Sequence, residues 1–108
     1  RVLDAGDPVF DGTGLGAGDL FGHRSLHERC PGGASGHELD KISLDSPAGI
    51  RHLAKGTNPG DSGADLVAYD TQSGGRVFSV GSLCWTLSIA IDEGVSAVTA
   101  NALRGMLE

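Results

Sequence analysis

Glycine is the feature of this sequence that most limits what it can fold into. Of the 108 residues, 18 are glycine, more than twice the usual share of about 7%. Half of them lie in residues 1–36, where apolar residues show little periodicity. A glycine loses more backbone freedom on folding than any other residue and adds no side chain to a core. We therefore expect residues 1–63 to be loop-rich and regular structure to concentrate in residues 64–108.

Two extended runs in the second half predict a β-hairpin over about 64–82. The run ADLVAYDT (64–71) and the run RVFSVGS (76–82) are joined by the glycine-bearing turn QSGG (72–75). The alternating stretch GIRHLAKG (49–56) indicates a further strand. Short strands are also predicted at Val2–Leu3 and Val9–Phe10.

The C-terminal segment predicts an amphipathic helix over about 95–107. Its apolar residues recur at the spacing of one helical face, and we expect all of them to pack against the sheet: Val95, Val98, Ala102, Leu103 and Met106. The predicted fold class is therefore α/β, with a small sheet that contains the hairpin, a C-terminal helix and glycine-rich loops in the first half.

Charge and composition exclude several classes of protein. The net charge is −6, with acidic and basic residues intermixed, which disfavours a nucleic-acid partner. No apolar run approaches the roughly 20 residues of a membrane span, and no signal-peptide pattern is present. Two cysteines do not resemble a disulfide framework. We expect a cytoplasmic protein in which Cys84 is a buried thiol; a bond to Cys30 is possible but not predicted.

The chain begins at Arg1 without an initiator methionine. We expect residues 1–108 to be either a single domain or a C-terminal fragment of a larger protein.

The stretch HRSLHERC supplies an alternative in which this chain binds a metal. On a helix, His23 and His27 would share a face and could hold zinc or iron together with Cys30. Gly22 and Pro31 limit such a helix to about two turns, and a solvated loop with surface histidines is the other interpretation. We predict no metal site here and retain these three residues as the alternative.

Two carboxylates in HELD (37–40) are the only catalytic candidates. If this stretch is extended, Glu38 and Asp40 lie on one face, and paired carboxylates can divide acid and base roles or hold a metal. They can equally be ordinary surface residues, with either of them paired to Lys41.

Two further motifs resemble known sites in their letters alone. GDSG (60–63), with His52 and Asp45 upstream, resembles the sequence around the nucleophilic serine of chymotrypsin-like proteases. The double-barrel fold of those proteases, however, needs a chain of about twice this length. GTGLGA (12–17) fits a relaxed dinucleotide fingerprint, but the following GDLFG is a poor helix start. We predict a turn and a loop at these two places.

Four blocks occur in order along the chain: VFDGTGLGAGDLFG (9–22), GGASGHELDK (32–41), GADLVAYDTQSGGRVFSVGSLCW (63–85) and VSAVTANALRGMLE (95–108). In this order they resemble the C-terminal end of the N,N-dimethylformamidase large (beta) subunit family. Together they span more than half of the chain. SLHERC, between the first two blocks, departs from the family pattern.

The resemblance implies that this chain is part of a larger parent protein, a cytoplasmic and oligomeric amidohydrolase. That parent would cleave a small N-substituted amide to an amine and a carboxylate. It implies a mononuclear iron in that parent, held by tyrosines and a glutamate upstream of the matched region. It also implies that this part belongs to a glutamine-amidotransferase-like layer. Tyr69, the only tyrosine here, matches no family ligand, so no cofactor is expected in this chain.

We therefore predict a structural C-terminal portion of such an amidohydrolase, whose partners are the rest of the parent chain or other subunits. The chain alone is not expected to be catalytic. The first alternative is a non-catalytic assembly module whose hairpin edge pairs with another subunit. The second is a small protein that binds metal through histidine and cysteine.

Overall fold

The chain forms a three-stranded antiparallel sheet followed by one α-helix. The structure is a computed structural model that describes all 108 residues. The strands are β1 (Arg51–Lys55), β2 (Asp65–Asp70) and β3 (Arg76–Ser79), and the helix is α1 (Glu93–Met106). Three short 3-10 helices cover Pro8–Phe10, Pro59–Asp61 and Leu83–Leu87. This architecture is compatible with the predicted α/β class, and no helix has the length and apolar character needed to cross a membrane.

The predicted hairpin is confirmed as β2 and β3. Val77 pairs with Tyr69 and Phe78 pairs with Ala68 in an antiparallel register. The turn between them closes when the Thr71 amide donates to the Gly75 carbonyl at 2.8 Å. Residues 76–79 therefore lie within the ladder, as the alternation predicts.

Only one edge of the sheet is free. Strand β1 pairs with β2, with an irregularity between His52 and Ala54, and Val2 forms a bridge to Ala54 on the other side of β1. The Leu3 amide also donates to the Leu53 carbonyl at 2.9 Å. The N-terminal residues thus cover the outer edge of β1, and β3 is left as the exposed edge.

The predicted strand at Val9–Phe10 is wrong. These residues form a 3-10 helix with Pro8, and the Asp7 side chain caps it by accepting from the Val9 amide at 3.1 Å. Proline has no amide hydrogen to give to a ladder, but it suits the first turn of a helix. Both apolar side chains are nevertheless buried.

The helix prediction is right in position but wrong about its packed face. Val95, Val98 and Ala102 are buried, whereas Leu103 is 59% exposed and Met106 is 44% exposed. At 100° per residue, Leu103 is turned about 110° from the centre of the buried arc. Met106 lies in the last turn of the helix. The apolar face is therefore narrower than the spacing indicated.

A chain of aromatic rings links the helix to the sheet. Phe10, Phe21, Trp85 and Phe78 stack edge to face, with successive ring centroids 6.1, 6.1 and 6.5 Å apart. The Trp85 indole donates to the Thr99 hydroxyl at 3.0 Å, which satisfies its one polar atom inside the core. The stretch from Gly74 to Trp85 is therefore scaffold.

The two cysteines form a disulfide, so the expectation of a buried thiol at Cys84 is wrong. Cys84 is 1% exposed and Cys30 is 5% exposed, as small apolar residues would be. They are 54 residues apart in sequence, but their Cα atoms lie 6.0 Å apart, a typical separation for a disulfide. The bond ties the loop before Pro31 to the 3-10 helix at Leu83–Leu87.

Candidate functional site

A buried carboxylate, Asp65, organises the outer face of the sheet. One of its oxygens accepts from the Ile42 amide at 2.8 Å, and the other accepts from His52 Nε2 at 2.9 Å. The Lys55 ammonium lies 3.4 Å from the same oxygen as His52. Because side chains alternate along a strand, Asp65, Val67 and Tyr69 share this face. The carboxylate of Asp65 therefore lies beside a histidine, His52, and a lysine, Lys55.

This cluster stabilises the ionised form of Asp65. Burial alone would raise the pKa of Asp65, but the Ile42 amide and the charges of His52 and Lys55 outweigh burial and lower it from its ordinary value. A hydrogen bond with Asp61 is the main cause that raises the pKa of Lys55. A carboxylate held ionised in this way is suited to orienting a histidine and not to donating a proton.

The sequence-predicted carboxylates lie on the surface, and the structure does not join them into a pair. Glu38 is exposed and has a left-handed backbone with φ of 52°. Asp40 is also exposed, and its backbone bridges the strands by donating to the Gly81 carbonyl and accepting from the Asp65 amide. Neither carboxylate makes a hydrogen bond within the chain, and only Asp40 lines a small cavity of about 270 Å³ beside Asp65 and Tyr69.

The structure does not bring His23, His27 and Cys30 together as a group of metal ligands. Cys30 is consumed by the disulfide, so its sulfur cannot act as a thiolate ligand. His27 Nδ1 accepts from the Arg29 amide at 3.0 Å. No group of three or more histidine, cysteine, aspartate or glutamate side chains in the chain is arranged to hold a metal ion.

The remaining motif residues take structural places. Ser62 donates to the Pro59 carbonyl at 2.7 Å, and His52 is bonded to Asp65 and not to Asp45, so GDSG forms no triad. Tyr69 is half-buried in β2 on the outer face of the sheet. With no second tyrosine in the sequence and no metal-binding group around it, the residues of this chain do not fit the iron site implied by the resemblance.

A second cavity, of about 300 Å³, has Gly22, Gly32 and Gly56 in its lining. We call it the glycine-walled cavity. Gly33 has φ of 92°, and a Cβ there would overlap the Gly22 carbonyl. A Cβ on Gly56 would meet the Ser35 hydroxyl, and one on Gly63 would meet the Gly56 carbonyl. The cavity is lined by 18 residues in all, among them Phe21, Ala34, Leu66 and Trp85.

Sequence reasoning missed Asp65 and the glycine-walled cavity. Asp65 and His52 are 13 residues apart and on different strands, so no local spacing relates them. A signal was present for Asp65, because it directly precedes the apolar run LVA (66–68) at the start of β2, and an aspartate that is buried with such a run needs a partner. The cavity left no signal beyond the glycine content, since its walls come from segments distant in the sequence.

The family match covers nearly the whole of this fold. No curated protein sequence matches the chain. The family model described as N,N-dimethylformamidase beta subunit-like, C-terminal, matches residues 1–100, from the bridge at Val2 well into helix α1. The sequence resemblance is thereby confirmed, and the chain belongs to the N,N-dimethylformamidase beta subunit-like C-terminal family.

Proposed function

We propose that this chain is the structural C-terminal portion of an amidohydrolase that resembles N,N-dimethylformamidase. In that proposal the parent cleaves a small N-substituted amide to an amine and a carboxylate. The iron, its ligands and the catalytic residues belong to the rest of the parent chain or to other subunits. This part would extend a glutamine-amidotransferase-like layer in a cytoplasmic, oligomeric parent.

The observation that carries the proposal is how the buried carboxylates are used. Asp7 accepts from the Val9 amide and from Arg51, and Asp65 accepts from the Ile42 amide and from His52. Asp92 accepts from three backbone amides. Hydrogen bonds from amides and cations fix the position of a carboxylate. These groups hold loops to strands and to the helix, as residues of a scaffold do.

The end of helix α1 offers the contact with the rest of the parent. Three large apolar side chains are exposed here: Leu103 at 59%, Met106 at 44% and Leu107 at 87%. The first two lie in the last turn of α1, and Leu107 directly follows the helix. A cluster of exposed large apolar residues marks a surface that is covered in a larger assembly. We propose that the parent chain covers this helix end.

The test is made in the parent enzyme, assayed on small N-substituted amides. We expect the variants Glu38→Gln and Asp40→Asn to keep kcat/KM within about twofold, because substitutions that touch no reacting atom leave the barrier unchanged. We expect the double variant Leu103→Gln/Leu107→Gln to lower the thermal stability of the parent. The thermal stability of the isolated chain should not change.

A loss of about 100-fold in kcat for Asp40→Asn, with an unchanged fold, would instead place that carboxylate in the chemistry. The proposal of a purely structural portion would then be abandoned.

A second function, an assembly module, is favoured by the free edge of β3. The N-terminal residues cover β1 but leave β3 unpaired, and an unpaired edge is a template for another strand. Sizing of the chain at several concentrations tests this function. A monomer at all concentrations would argue against self-association through this edge.

A further inference from the structure

The lining of the glycine-walled cavity combines apolar and polar side chains. Phe21, Leu66, Val80 and Trp85 supply large apolar side chains to its lining. Ser35, Thr57 and Asn58 are among its polar members. A concave apolar site with a few polar groups is the usual form of a small-molecule site, and about 300 Å³ lies at the lower end of the size range of such sites.

The charge of the lining is opposite to that of the protein. The chain carries 14 acidic residues and a net charge of −6, yet none of its aspartates or glutamates lines this cavity. The basic residues Arg1 and His23 do line it, as does Lys55. The Lys55 ammonium is already paired at 3.3 Å with Asp61 and 3.4 Å with Asp65, and His23 Nδ1 lies 4.0 Å from the Asp92 carboxylate. Arg1 is therefore the basic side chain of the lining that has no acidic partner.

Several backbone amides in the lining have no acceptor within the protein. The N–H groups of His23, Gly32, Ser35, Thr57 and Asn58 donate to no backbone or side-chain group in the chain. His23, Gly32 and Thr57 are exposed and Ser35 and Asn58 are half-buried, so water reaches these donors. An occupant with acceptor atoms would replace that water at donors that no protein group uses.

We infer that the glycine-walled cavity binds a small carboxylate on a compact apolar body, about the size of a single ring. The carboxylate oxygens accept from the free amides near Thr57 and Asn58 and are drawn by Arg1. The apolar body lies against Phe21 and Trp85. This inference does not depend on the proposed structural role in the parent, because it concerns the occupant of a cavity formed within this chain.

Benzoate and benzamide form the matched pair of probes, since they share size and ring but only benzoate is charged. Trp85 is the only tryptophan of the chain, so its fluorescence reports on the cavity directly. We expect saturable binding of benzoate with a Kd at or below about 1 mM, and binding of benzamide at least about tenfold weaker. In amide-resolved NMR spectra, the Thr57 and Asn58 signals should move with benzoate.

Two glycine variants separate loss of the cavity from loss of the fold. Gly32 lines the cavity, and a Cβ added there meets nothing within 4 Å. Gly32→Leu should therefore weaken benzoate binding by at least about tenfold with an unchanged circular dichroism spectrum. Gly16→Leu is the control, because its added Cβ meets only the Asp19 carboxylate at 3.7 Å and Gly16 is not part of the cavity.

The inference is overturned if benzoate causes no saturable change up to about 10 mM, which corresponds to less than about 3 kcal/mol of binding free energy. Equal binding of benzoate and benzamide would also overturn it, because the amides and Arg1 would then contribute nothing. So would full binding by Gly32→Leu. None of these results would touch the structural role in the parent, which is tested by stability and activity there.

Discussion

Removal of the Asp92 carboxylate tests how the first half of the chain is held to the helix. Asp92 is buried, and its side chain caps α1 by accepting from the Val95 amide at 3.1 Å. The same carboxylate accepts from the Gly22 and Arg24 amides, each at 3.2 Å. One side chain therefore closes the helix and anchors a loop 70 residues away in the sequence.

The loss of folding free energy in Asp92→Ala follows from the hydrogen bond that each of the three amides loses. Loss of a helix N-cap costs about 1 kcal/mol. The Gly22 amide is in a buried residue, and leaving such a donor unsatisfied costs about 1–3 kcal/mol. Arg24 is exposed, so water replaces most of its bond. We expect the free energy of unfolding to fall by about 3 kcal/mol, a large part of the stability of a small domain.

Urea unfolding followed by the fluorescence of Trp85 measures this change as a lower midpoint with an unchanged slope. Asp92→Asn keeps a capping oxygen and should cost no more than about 1 kcal/mol. Glu93→Ala, in the exposed neighbour, should change stability by less than about 0.5 kcal/mol. If Asp92→Ala lay within about 0.5 kcal/mol of the wild type, or if the asparagine variant were equally unstable, the anchoring role of the carboxylate would be refuted.

Three further results are expected. Because the folded pKa of Asp65 lies below its ordinary value of 3.8, its stabilising contribution is present above that value and is lost as pH falls through the folded pKa. The advantage of the wild type over Asp65→Asn in urea unfolding should therefore be present above the ordinary pKa of 3.8 and should shrink as the pH falls from there through the lower, folded pKa. Gly33→Ala should cost at least about 2 kcal/mol, whereas Gly32→Ala should stay within about 0.5 kcal/mol; equal thermal shifts would contradict the close approach of Gly33 to the Gly22 carbonyl. Reduction of the Cys30–Cys84 bond, which closes a loop of 54 residues, should lower the free energy of unfolding by up to about 4 kcal/mol. Thiol titration of the denatured, unreduced chain should find no free thiol, and two free thiols would contradict the bond.

Local patterns in the sequence were sufficient for the hairpin and for the position of the helix. The alternation of residues 64–82 is a property of neighbouring residues, and the ladder of β2 and β3 follows it. The same holds for α1, which spans Glu93–Met106 where residues 95–107 were predicted. The family resemblance also came from the order of short blocks. The hairpin and the helix depend on contacts between residues that are close along the chain.

The candidate site was only half visible in the sequence. Asp40 was identified and lines the small cavity beside Asp65, but Glu38 is exposed and makes no hydrogen bond. For Asp65, the sequence predicts only a place in a strand. The structure shows that its carboxylate accepts from His52 and the Ile42 amide. Nothing in residue spacing tells which exposed carboxylate shares a cavity with a buried one.

The sequence by itself determined the three strands of the sheet, the position of the helix and the family. Only the tertiary structure decided that Cys30 meets Cys84, that Gly33 must remain glycine, and that Leu103 faces outward. The physical reason is distance along the chain. Backbone propensity and side-chain periodicity act over a few residues, whereas a disulfide, a close glycine contact or a buried face depends on which distant segments come together.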